Sequence, residues 1–141
     1  MVGDEAVGFG NGIRAGHGPL SSILPVEDIG WGEKVFDSMP VRGRLLAVGT
    51  PDDVLVLMDG SAEGGVALVR EAGATFLAPL YHELAAIICT TGTTRSHIGI
   101  VSREFQLPCV MGTVFPDPPG EPEPGTEVEV DCSGPRGVIR A

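Results

Sequence analysis

Residues 86–111 read AIICTTGTTRSHIGIVSREFQLPCVM, and the succession of textures in this stretch decides the fold class. Ala86-Ile-Ile-Cys-Thr90 is short and continuously apolar, as expected of a strand covered on both faces. Thr91-Gly92-Thr93-Thr94 interrupts it with small residues suited to a tight loop. From Ser96 to Phe105 the apolar residues Ile98, Val101 and Phe105 recur at spacings of three and four, the period of a helix, with Arg103, Glu104 and Gln106 off that stripe. Pro108 closes the helix and Cys109-Val-Met111 resumes a strand. Strand, loop, helix and strand in this order form a crossover unit, which places the chain in the α/β class with a parallel or mixed sheet.

Upstream, Val54-Leu-Val-Leu-Met58 reads as a further buried strand ended by the turn Asp59-Gly60-Ser61. Ala62 to Ala72 is then expected to be a helix closed by Gly73, with Thr75-Phe-Leu77 a short strand and Tyr81 to Ala85 at most two helical turns. Downstream, residues 114–126 carry five prolines and three acids without any period, a surface excursion. Glu127-Val-Glu-Val130 alternates, and Ser133 to Gly137 returns the chain to Val138-Ile-Arg140, a β-hairpin. Residues 1–35 hold eight glycines and little periodicity, and read as a Gly-rich N-terminal arm before a domain over 36–141. Trp31 and Phe36 are candidates to anchor that arm. The arm's His17 has no second ligand at metal-binding spacing and reads as a solvated loop residue, while His82, beside Glu83, reads as a surface residue.

Composition narrows the partners. The 141 residues include 9 Lys plus Arg against 19 Asp plus Glu, a net charge of −10, and Lys34 is the only lysine. Such a chain lacks the basic footprint for nucleic acid or anionic membrane. Apolar runs stop far short of the roughly 20 residues of a membrane helix. The N-terminus lacks a basic, then apolar, leader, so the expected location is cytoplasmic. Cys89, Cys109 and Cys132 have no C-x-x-C spacing and are expected to be reduced and buried, with no metal.

His97 follows a strand and a glycine-containing loop and stands in the first turn of a helix, where unpaired N–H groups and the helix dipole favour anions. Gly92, Thr93, Thr94, Arg95 and Ser96 surround it, offering hydroxyls and a guanidinium to phosphate oxygens. On these residues alone, a second reading stands beside the first: Ser96 only caps the helix and His97 packs on the sheet.

The run from Gly92 to Gly112, GTTRSHIGIVSREFQLPCVMG, resembles the signature of the phosphohistidine swivelling domain, the mobile domain of the phosphoenolpyruvate-utilising enzymes. The likeness rests on the first Gly, the Ser-His pair, Ile-Val, Arg-Glu, Pro, Val and the last Gly in unbroken register, and on a similar closing hairpin. The resemblance implies a three-layer β/β/α swivelling domain in which His97 accepts a phosphoryl group and carries it between two active sites. A neutral imidazole nitrogen is a competent nucleophile, and its phosphoramidate is a good donor. Arg103 and Glu104 match positions that imply helix anchoring or docking, while from the residues alone they read as surface ion pairs. Thr93 replaces the second glycine of the family pair, Arg95 a threonine, and Ala78-Pro79-Leu80-Tyr81 stands in place of the usual Thr-Pro.

Members of that family embed the domain in longer chains with an ATP-grasp nucleotide-binding domain and an acceptor-binding domain. This chain has no G-x-x-x-x-G-K-[ST] motif. The expected function is therefore a carrier subunit of a split phosphotransferase, with ATP or phosphoenolpyruvate and Mg2+ on separate partner subunits and no cofactor of its own. The alternatives are a binding or regulatory module that keeps the fold without carrying phosphate, and a fragment of a larger enzyme. The initiating Met1 and the closing hairpin favour a complete chain over the last.

Overall fold

In the computed structural model, which describes residues 26–141, the elements run β1 (Asp28–Lys34), β2 (Ser38–Ala47), α1 (Pro51–Leu57), β3 (Val66–Val69), a 3-10 turn (Ala78–Leu80), β4 (Ala86–Cys89), α2 (His97–Glu104), β5 (Cys109–Val114), β6 (Glu127–Cys132) and β7 (Gly137–Arg140). Strands β2, β3, β4 and β5 are parallel neighbours, as the crossover pattern requires. Antiparallel β6 and β1 flank them, and β7 pairs with both, so the order β1-β5-β4-β3-β2-β6-β7 closes on itself. The α/β class expected from sequence holds, but the open three-layer β/β/α arrangement is corrected to a closed seven-stranded barrel with helices outside it. The closure arises because β1 pairs on both edges.

Side-chain alternation divides the core in two. Val66, Leu68, Ala86 and Ile88 face the barrel interior with Val110, Val128 and Ile139. Ala67, Val69, Ile87 and Cys89 face outward, under Val54 of α1, Leu77 and Leu80 around the 3-10 turn, and Ile98 of α2. Both faces of β3 and β4 are covered, and all four residues of each strand are buried. Cys89, Cys109 and Cys132 are free and buried, and burial pushes the Cys109 thiol up to about 12, which leaves it inert.

Several local expectations change. Val54–Met58 lies within and just after α1 rather than in a strand, because Thr50 and Asp53 form a reciprocal capping box and Pro51 sits in the first turn. Only Val54 of that run is buried; Leu55, Val56 and Met58 are exposed. The helix expected over 62–72 is instead turns followed by β3, and 75–77 is a turn rather than a strand. In place of the helical turns expected over 81–85, the 3-10 turn at Ala78–Leu80 comes first and ordinary turns follow it. Asp28–Lys34 is a barrel strand, although it fell within the arm read over 1–35, while the glycine run 8–18 and His17 lie outside the described residues. Trp31 lies under the Arg136 guanidinium, 4.7 Å from its ring centroid, and so packs on the β6–β7 hairpin.

Two features of β1 matter for the site. Its pairing with β5 slips between Trp31 and Glu33, a bulge that re-aims the side chains beyond it. Gly32 lies so close to β5 that a Cβ there would fall 2.5 Å from the Met111 carbonyl oxygen.

The seam beside β7 is fastened by Arg140, whose guanidinium donates to Asp28 at 2.8 Å, Glu129 at 2.9 Å and Asp131 at 2.8 Å. The Ser133 hydroxyl and amide also donate to Asp131, and with Arg140 they lower its carboxyl to about 2. A folded-state value below the ordinary 3.8 means that this stabilisation is present above pH 4 and is lost as pH falls through about 2. After allowance for partial solvation, we expect wild type to lose roughly 1–2 kcal/mol through this group between pH 4 and 2. Urea unfolding of Asp131→Asn across that range should show a correspondingly shallower acid limb; parallel limbs would remove Asp131 from the acid sensitivity.

Candidate functional site: the His97 loop

The loop from Thr91 to Ser96 leaves β4 and enters α2, whose first residue is His97. Gly92 takes φ +74°, and a Cβ there would overlap the Ala72 side chain and lie 2.6 Å from Ser96 Oγ, so the turn demands glycine. Gly99 brings the helix against the loop, its hypothetical Cβ only 2.6 Å from the Thr94 carbonyl oxygen. The Ile98 amide donates to the Ala72 carbonyl at 3.0 Å, and the Ile98 side chain is fully buried. These contacts fix the start of α2 and leave His97 exposed to solvent at its N-terminus.

The amides from Thr93 to Ser96 are already partnered. Thr93 N–H donates to Ser96 Oγ at 3.0 Å, Arg95 N–H to Thr93 Oγ1 at 3.1 Å, and Ser96 N–H to the Thr93 carbonyl at 2.9 Å. Thr94 N–H donates to Glu33 Oε1 of β1 at 3.2 Å. This corrects the alternative that the Ser96 side chain caps the helix, because its hydroxyl oxygen turns back to Thr93 and accepts nothing from α2. The consequence for chemistry is specific. Thr93 and Ser96 use their oxygens as acceptors, so each keeps an O–H hydrogen to donate outward. Arg95 is exposed and half-buried Thr94 adds a third hydroxyl. The positive end of α2 points at the same place.

Arg103 and Glu104 lie at the other end of α2. The Arg103 guanidinium donates to the Val35 carbonyl after β1, so it ties the helix to the barrel rather than forming a surface ion pair. Glu104 is exposed. His82 is exposed too, its ring edge-on to Phe105 at 5.0 Å, and Tyr81 stacks on the same ring.

Beside the loop, a crevice of about 270 Å³ opens at the ends of β2 and β3, floored by Val48, Leu68 and Phe76 and edged by Arg70, Glu71 and Glu121. The Thr91 hydroxyl donates to the Arg70 carbonyl at 2.6 Å, and the Arg70 side chain pairs with Glu121 of the proline-rich excursion. His97 stands outside this crevice. Among the described residues no group of three or more His, Cys, Asp or Glu is placed to hold a metal, and no helix is long and apolar enough to cross a membrane.

The structure thus brings Gly92, Thr93, Thr94, Arg95, Ser96 and His97 together and sets Arg103 and Glu104 apart. Sequence reading missed Glu33, which lies 61 positions before the amide it accepts from. The only local trace of it was the Gly30, Gly32 spacing that permits a bulge.

Comparison with known proteins agrees with this region. Residues 61–134, just over half of the chain, match the family model described as PEP-utilising enzyme, mobile domain. No curated protein matches the sequence. Among solved structures the chain resembles aconitase X from Thermococcus kodakaraensis in its holo-form, with a TM-score of 0.51 and 15% identity over 78% of this chain and 97% of that one. At that identity the likeness is one of fold.

Proposed function

The chain belongs to the family of the PEP-utilising enzyme mobile domain, and from that premise we propose that it is a phosphoryl carrier in which His97 is first acceptor and then donor. The observation that carries the proposal is the presentation of His97: an exposed imidazole at the first residue of a helix, held on a loop whose bonds leave the Thr93 and Ser96 hydroxyl hydrogens free. An exposed nucleophile outside the crevice at the ends of β2 and β3 suits reaction inside clefts supplied by other proteins. Phosphoryl transfer asks mainly for positioning and charge stabilisation, and Arg95, the hydroxyls and the end of α2 supply them. A separate nucleotide-binding, ATP-grasp-like subunit would load the histidine from ATP or phosphoenolpyruvate with Mg2+, and an acceptor-binding subunit would unload it. On this reading the chain is one subunit of a phosphotransferase of the dikinase or synthase type, working in the cytoplasm.

The test is intact mass in base after incubation with ATP, Mg2+ and candidate partner subunits, and in parallel with N-phosphoimidazole as a small donor. One added phosphoryl group, stable in base and lost in acid, is expected. A folded protein that gains none from either source would favour the non-catalytic module. Arg95→Ala is expected to slow loading about 10-fold without abolishing it, since one charge-assisted contact of three or more donors is lost. An unchanged rate would remove Arg95 from the transfer.

A further inference from the structure

A carboxylate reaches the loop that presents His97. Glu33 follows the bulge in β1, where Gly32 is pressed against β5, and its Oε1 accepts the Thr94 amide at 3.2 Å. The bulge re-aims a strand side chain toward the loop, and the amide holds the carboxylate there. A phosphoryl group on His97, three residues along the chain, would bring further negative charge to the same loop. Arg95 and the N-terminal end of α2 attract that charge, whereas the anchored carboxylate repels it.

Resting on the carrier reading, we propose that Glu33 is a positioning residue whose fixed charge raises the transfer potential of phosphorylated His97, so that the group is held loosely enough to pass on. Its bond to Thr94 sets the loop, and its charge acts on the phosphohistidine through that loop. A neutral side chain of the same shape would keep the first role and lose the second.

The exchange with N-phosphoimidazole isolates the effect. The donor's nitrogen–phosphorus bond breaks as a new one forms to His97. The departing imidazole keeps the electron pair and takes the proton that the His97 ring gives up. Phosphorus NMR in mildly alkaline solution then gives the equilibrium constant directly. Glu33→Gln, which retains an oxygen to accept the Thr94 amide, is expected to move the equilibrium toward phosphoprotein by about three- to tenfold, the scale of one like charge removed from the same loop region near a protein surface. Glu63→Gln, a charge removed from an exposed turn, should move it less than about twofold. If Glu33→Gln matches wild type and only Glu33→Ala differs, the carboxylate merely braces the loop and the proposal falls. If Glu63→Gln shifts the equilibrium as much as Glu33→Gln, overall charge is responsible and it also falls. A phosphorylated wild type with its label on His97 keeps the carrier reading in either case, whereas a label that survives in His97→Ala overturns both.

Discussion

Replacing His97 with alanine is expected to abolish base-stable, acid-labile phosphoryl uptake and to leave folding unchanged. The side chain is exposed at the first residue of α2, and the neighbouring contacts that fix the helix come from Gly92, Ile98 and Gly99. Truncating it removes little buried surface, so the stability change should stay within about 0.5 kcal/mol. The loss of uptake should be complete, because the neighbouring Thr and Ser hydroxyls would form phosphate esters, which survive acid, and a guanidinium is a poor nucleophile. Intact mass and urea unfolding on the same samples check both halves. Exposed His82 provides the control: His82→Ala should load like wild type, and a label lost with His82 would move the acceptor to the Phe105 side of α2.

The second large effect falls on Gly92. Alanine there must adopt φ near +74° and place its methyl against Ala72 and 2.6 Å from Ser96 Oγ. The left-handed backbone costs about 1–2 kcal/mol and the overlap a further 1–3, so Gly92→Ala should lose roughly 3 kcal/mol. For a domain of this size that lowers the melting temperature by about 10 °C. The displaced Ser96 would also release the Thr93 amide, so phosphoryl loading should fall with stability. Gly134→Ala, in open space, is the matched control and should change stability by less than about 0.5 kcal/mol. Equal unfolding midpoints for the two variants would mean that the loop does not bear on the core.

What was legible in the sequence followed from how local the causes are. The stretch from β4 through α2 to β5 read correctly because an apolar strand, a small-residue loop, a 3.6-residue stripe and Pro108 each act over a few residues. Val54–Met58 misled because a short apolar run has no period that separates strand from helix, and the deciding signal, the Thr50 to Asp53 capping box, lies just outside the run. The Val66–Val69 strand was hidden behind Ser61-Ala-Glu, which mimics a helix start. Strand β1 escaped because Asp28-Ile-Gly-Trp-Gly-Glu-Lys34 carries two glycines, whose reason is close approach to residues some 80 positions away. Barrel closure and the Glu33 contact are both long-range facts, and no local pattern encodes them.

The ring of strands has a consequence for how such a domain meets other proteins. Because β7 closes onto β1, the described sheet offers no row of unpaired amides for a foreign strand to join. Recognition must then run through side chains and loops, which form contacts that come apart without unzipping backbone ladders. On the carrier reading, a body built this way would visit one host and leave for the next without becoming part of either.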